Sequence, residues 1–230
     1  MRNWATRAVG ELAHRRDEIN ALNVFPVPDS DTGSNMAHTM EAAVAELDNG
    51  GDVADSLALG AVRGARGNSG MVLSQVLRGV AESTVDSVID GAVFVRSLKQ
   101  AVELVDRAIA EPVEGTVITV LKAASESAED AEAQSGATLH SIVSAAITAA
   151  RMALERTPSQ LPALREAGVV DAGGAGLVIL LESLLAEVEG STGNTGIPEP
   201  EPETELEVVF FFEGDIDLSL IHISEPTRPL

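Results

Sequence analysis

An all-α fold is predicted by three observations. Through about residue 190, apolar residues recur every three or four positions, the period of helices with one buried face. Aromatic residues make up only 3 % of the chain against 45 % hydrophobic, so the core must be built from Ala, Val, Leu and Ile. That mix suits closely packed helices better than a β-sandwich. Finally, no alternating strand pattern survives in this region. The 230 residues allow one domain of about 150–200 residues plus an appendage.

The elements follow in order. The charged amphipathic opening MRNWATRAVGELAHRRDEINAL predicts a first helix over 3–22. A second, over 34–47, starts after a polar turn, and a third covers 52–64. A glycine-rich turn precedes a helix over 69–82. Phe94, Leu98, Ala101, Val105 and Ile109 form the stripe of a helix over 90–110. Pro112 and Gly115 then break the chain before a helix over 115–131. Leu139, Ile142, Val143, Ala146, Ala150 and Ala153 mark a helix over 137–156. A short helix over 159–167 carries Pro162 in its first turn, and the last helix covers 173–189. Residues 1–190 are therefore expected to form one helical domain.

The composition changes after that. STGNTGIPEPEPETE at 191–205 has no apolar period and predicts a semi-rigid linker. LEVVFFFEGDID at 206–217 is the one strand-like run and is expected to begin a truncated second domain. LSLIHISEPTRPL at 218–230 resembles a translated adapter or vector tail and is set aside.

The net charge of −21 argues against nucleic acid and against an anionic membrane surface. Phosphate compounds are still compatible if metal ions supply positive charge. Cysteine is absent, which excludes disulfides and thiolate metal sites. Neither an apolar signal segment nor a run of about 18 apolar residues is present, so a cytoplasmic protein without membrane insertion is expected.

Four glycine-bearing turns carry the candidate chemistry. In NVFPVPDSDTGSNM (23–36), Pro26 and Pro28 stiffen the approach, and Asp29 and Asp31 present two carboxylates from one turn. Their mutual repulsion is relieved by a hard divalent cation such as Mg²⁺. Gly33 permits a sharp turn, and Ser34 is placed to cap the next helix. In RGARGNSGMVLSQ (63–75), Gly64, Gly67 and Gly70 bracket Asn68 and Ser69 ahead of an apolar helix, a pattern that cradles phosphate with backbone N–H groups. It is neither a Walker A motif nor a dinucleotide fingerprint. EPVEGTVITVL (111–121) starts a helix at Thr116, and GVVDAGGAGLVIL (168–180) places Asp171 before Gly173, Gly174 and Gly176. Each turn taken alone is equally compatible with an ordinary capped helix start. If all four share one end of the bundle, a Mg-nucleotide is the natural occupant, and phosphoryl transfer by positioning and charge neutralisation is the chemistry. His14, His38 and His140 have no partners in sequence and read as structural or surface residues.

These motifs, in this order and spacing, resemble the DhaL (DAK2) domain in the form found at the N-terminus of bacterial fatty acid kinase catalytic subunits. They are similar, more distantly, to the ATP-binding subunit of dihydroxyacetone kinases. The resemblance covers roughly residues 1–190. It implies an eight-helix barrel that binds ATP at one end through two Mg²⁺ ions. Metal ligands and catalytic acids carry over onto Asp29 and Asp31. Dihydroxyacetone kinases use a third acid just upstream; here Asn23 stands nearest and is assigned, with water as the alternative. Nucleotide contacts carry over onto Thr32, Gly33, Ser34 and Asn35, onto Gly67, Asn68, Ser69 and Gly70, and onto Thr116, Asp171, Gly173 and Gly174. The usual first motif has glycine between the aspartates; Ser30 is expected to be tolerated unless that position needs a positive φ. By the same resemblance the substrate is a fatty acid held by a separate carrier protein and phosphorylated on its carboxylate. The missing middle and C-terminal domains of the subunit engage that carrier. A dihydroxyacetone-type phosphotransferase and a non-catalytic nucleotide-binding regulator are the alternatives, and homodimerisation stays open.

Overall fold

A computed structural model describes residues 1–84 and 88–190; the expected linker, second-domain strand and tail lie outside the described residues. The described residues form α1 (Arg2–His14), α2 (Arg16–Ala21), α3 (Thr32–Glu46), α4 (Val53–Gly64) and α5 (Gly67–Ser83). They continue with α6 (Gly91–Ala108), α7 (Val117–Glu132), α8 (Leu139–Gln160), α9 (Pro162–Ala167) and α10 (Ala172–Glu189). A single 3₁₀ turn, Leu47–Asn49, follows α3.

Eight of these helices are long, and they pack as a closed ring. α1 lies on α3, α3 on α4, α4 on α5, and so on through α8, which packs on α10. α10 then closes the ring on α1. The indole N–H of Trp4 donates to the Leu180 carbonyl across this seam at 3.1 Å. The all-α, eight-helix barrel expected from the sequence is thus the observed architecture. α10 is apolar almost all round, as a helix walled in on every side must be. Ala175, Leu177, Val178 and Leu181 face one buried cluster with α6, α7 and α8. Ala172, Ile179 and Leu180 face a second cluster with α1, α3 and α4. Glu182 is the charged exception. It is buried, paired with Arg151 of α8, and burial pushes its carboxyl pKa up while Arg151 pulls it down.

Three boundaries differ from the sequence expectation. The single helix predicted over 3–22 is broken at Arg15, whose φ and ψ are −100° and 9°. The break turns α2 so that Ile19 enters the core and the Arg16 carbonyl meets α3. Second, α8 runs on through Pro158 to Gln160, and α9 starts at Pro162. Proline cannot bond the Leu154 carbonyl; the Thr157 hydroxyl donates to it instead, at 2.7 Å. Third, α3 starts at Thr32 rather than at 34, with Asp31 at its N-cap.

Tight contacts depend on missing side chains. A Cβ at Gly79 would lie 2.6 Å from the Ala101 nitrogen and 2.8 Å from the Ser97 carbonyl oxygen, so α5 and α6 meet backbone to backbone.

Candidate functional site

The loop between α2 and α3 is held from inside by Asn23. Its Nδ2 donates to the Val27 carbonyl at 3.1 Å and to the Phe25 carbonyl at 3.5 Å. Its Oδ1 accepts the N–H groups of Asp31 at 3.1 Å and Thr32 at 3.2 Å. The Phe25–Pro26 peptide is cis. Ser30 has φ 53°, so the position between the two aspartates does require the left-handed region, where glycine is favoured. Asp29 is exposed and Asp31 partly buried. Asp31 occupies the N-cap of α3 but makes no capping bond from its side chain. Neither carboxylate has an ion-pair partner among the described residues. Two acids two residues apart, unpaired and uncapped, suit a divalent cation that keeps water and phosphate ligands. No group of three or more His, Cys, Asp or Glu occurs among the described residues, so a cage built wholly from protein ligands is not offered.

The first turn of α3 is sewn to α2. Ser34 N–H donates to Asn20 Oδ1, and Asn20 Nδ2 donates to Ser34 Oγ, both at 3.0 Å. A Cβ at Gly33 would lie 2.3 Å from the Arg16 carbonyl oxygen. Gly33 therefore serves close helix packing and not a sharp turn, and Ser34 does not cap α3. Asn35 packs on the second turn: a Cβ at Gly67, where φ is 60°, would lie 2.6 Å from Asn35 Nδ2. Gly70 fits against Thr39 in the same way, at 2.5 Å.

Asp171 joins the other two turns. It caps α10 by accepting the Gly174 N–H at 2.7 Å, and the amides of Val117 on α7 and of Gly173 also face its carboxylate. Its own N–H donates to the Thr157 hydroxyl at 3.1 Å. Burial raises its pKa to about 6, against the opposing pull of the amides. Thr116, the N-cap of α7, turns its hydroxyl to the Val113 carbonyl at 2.7 Å. α7 thus gets its cap from the neighbouring helix.

The four helix starts meet around one cavity of about 370 Å³. Thr32, Asn68, Ser69, Thr116, Asp171 and Gly173 line it. These are the N-termini of α3, α5, α7 and α10, whose dipoles favour an anion; the first turn of α5 has no side-chain cap, while first-turn N–H groups of α3 go to Asn20 and Asn23 and those of α7 and α10 face Asp171. Asp29 and Asp31 lie on the loop whose Phe25 and Pro26 form part of the wall. Gly33, Ser34, Asn35, Gly67, Gly70 and Gly174 stand behind the lining, where they set how closely the helices approach. Apart from Glu111 the wall opposite is apolar, and its apolar residues were read in the sequence as parts of helices and turns rather than as site residues. It comprises Ile109, Ala110 and Val113 from the α6–α7 connection, with Met71, Val72 and Ile118. Its only sequence signal was the loss of helical period before Pro112. Among the described residues no Lys or Arg lines the cavity. A polyanion here would need its charge balanced by helix N-termini and cations held at the aspartates.

Comparison with known proteins bears on the family and the fold. A family model described as the DAK2 domain matches residues 26–186. Protein YloV of Bacillus subtilis is 39 % identical over 187 residues, covering 79 % of this chain and 34 % of that protein. Uncharacterized protein SSP1546 of Staphylococcus saprophyticus is 37 % identical over 187 residues, with the same coverage of 79 % and 34 %. The chain thus spans about a third of the length of the curated relatives it matches. Among solved structures, the native dihydroxyacetone kinase of C. freundii superposes with a TM-score of 0.59 at 20 % identity, over 81 % of this chain and 34 % of that one. The same enzyme in complex with AMP-PNP and Mg²⁺ gives 0.59 at 21 % identity, over 81 % and 33 %. At this identity the likeness is one of fold.

Proposed function

Because the chain belongs to the DAK2 domain family, we propose that it is the Mg-ATP-binding domain of a phosphotransferase. The observation that carries this reading is the meeting of four helix N-termini around one cavity, next to two unpaired carboxylates. Asn68, Ser69 and the uncapped first turn of α5 would receive phosphate oxygens, with the dipoles of the other helix starts adding positive potential. The apolar wall around Ile109 and Val113 would take the base. Asp29 and Asp31 would hold the metal; when bound, Mg²⁺ would supply the positive charge that the lining lacks. The complex of the C. freundii enzyme with AMP-PNP and Mg²⁺ supports this assignment.

For the acceptor we propose the carboxylate of a fatty acid presented by a carrier protein, giving an acyl phosphate. This rests on the motif resemblance. The cavity, of about 370 Å³, has room for a nucleotide. Parts of the longer relatives beyond the matched third would engage the carrier.

Calorimetric titration with a non-hydrolysable ATP analogue tests the first step. Binding should require Mg²⁺ and should be lost in Asp29→Asn and Asp31→Asn. Metal-independent binding, or undiminished binding in both variants, would refute the site. For the second step, a full-length relative is assayed with ATP, oleate and candidate carriers. Phosphorylation of dihydroxyacetone in place of the acid would favour the other kinase class; nucleotide binding with no transfer to any acceptor would favour a regulatory domain.

A further inference from the structure

Asn23 spends the whole hydrogen-bonding capacity of its amide inside the loop that carries the two aspartates. A primary amide has two donor hydrogens and two acceptor lone pairs. Here the donors go to the carbonyls of Phe25 and Val27, and the acceptor takes the amides of Asp31 and Thr32. The residue is 5 % exposed, so water has little access to replace any of these bonds. Three of the four backbone groups it ties belong to residues of the site, and the fourth, the Val27 carbonyl, lies in the loop between them. Phe25 and Thr32 line the cavity, and Asp31 carries a carboxylate free of any cap or ion pair.

We infer that Asn23 is a positioning residue, one that sets Asp31 and the turn to Asp29 in cation-binding geometry without itself touching the cation. The inference rests on the proposed metal role of the two aspartates. It departs from the expectation that Asn23 completes the metal shell, because Oδ1 has no lone pair left to give. The two roles have opposite chemical consequences. A carboxylate at this position has the same shape and one more negative charge. For a metal ligand, that charge strengthens cation binding. For a positioning residue it removes both donors and sets an anionic oxygen against the Phe25 and Val27 carbonyls, which opens the loop.

The test is titration of Mg²⁺ in the presence of a non-hydrolysable ATP analogue, paired with thermal melts of the metal-free protein. Wild type is compared with Asp31→Asn, Asn23→Asp and Asn23→Ser. The expected result is Mg²⁺ affinity at least about tenfold weaker in both Asn23 variants. If wild type shows no Mg²⁺-dependent binding, the metal assignment fails and the inference falls with it. If wild type binds, Asp31→Asn does not, and Asn23→Asp binds as tightly or more tightly, the inference alone is overturned. A lower melting temperature with unchanged Mg²⁺ affinity in folded Asn23→Ser would reduce Asn23 to a structural residue and overturn it equally.

Discussion

Replacing Ser30 with glycine should stabilise the protein, and the size of the gain follows from one angle. Ser30 has φ 53° in the turn between Asp29 and Asp31. An L-residue with a Cβ costs about 1–2 kcal/mol there. Glycine escapes that cost but gains freedom in the unfolded chain worth about 0.5–1 kcal/mol. The net gain for Ser30→Gly is therefore about 0.5–1 kcal/mol. For a domain of this size that raises the melting temperature by roughly 1–4 °C. Ser30→Val provides the opposite arm, because a β-branched residue is worst suited to the left-handed region; its melting temperature should fall by several degrees. Urea denaturation of the three proteins, with the midpoint and slope both fitted, is the assay. A Ser30→Gly protein less stable than wild type, or a Ser30→Val protein as stable, would refute a left-handed turn between the aspartates.

Gly79→Ala should be strongly destabilising, by about 2–3 kcal/mol, because its Cβ would press on the backbone of Ala101 and Ser97 with no flexible side-chain end to move aside; a thermal melt reads the loss directly. Asp171 makes stability pH-dependent. Burial lifts its folded pKa to about 6, above the ordinary 3.8 of an aspartate, so its stabilising contribution is complete below about pH 4 and is lost as pH rises through 6. The change is on the order of 3 kcal/mol, and urea midpoints of wild type should fall across that window relative to those of Asp171→Asn. Arg151→Ala strips buried Glu182 of its ion-pair partner and should cost about 3 kcal/mol at neutral pH. The loss should shrink on acidification as Glu182 takes up a proton, which paired melts at pH 5 and pH 7.5 would detect.

Much of the barrel was legible in the sequence because its helices have clean apolar stripes and punctuated ends. Pro112, Gly115 and Pro162 mark helix starts, and the stripe from Phe94 to Val105 is buried as expected. The bend at Arg15 was not legible, since the stripe continues through it and only packing against Gly33 calls for the turn. In the site, the types of residue were visible and their duties were not. Gly33, Gly70 and Gly174 looked like phosphate-loop glycines, yet each faces a neighbouring helix at a distance too short for a Cβ. Asp171 looked like a ligand or a cap for one helix; that it also serves Val117, over fifty residues upstream, depends on tertiary contact. The wall from Ile109 to Val113 overlaps the turn at 111–121, but its apolar contribution was not legible, because an apolar surface asks only for size and shape.

The closure of the ring by its last helix has a consequence for a chain made from the N-terminus onward. α10 lies between the two apolar clusters and brings Asp171, which caps α7 as well as itself. Until α10 leaves the ribosome, both clusters lack a side and α7 lacks its cap. The nascent chain then lacks the side of the cavity formed by Asp171 and Gly173. Under the proposed function, nucleotide would stabilise the fold only after synthesis passes that helix.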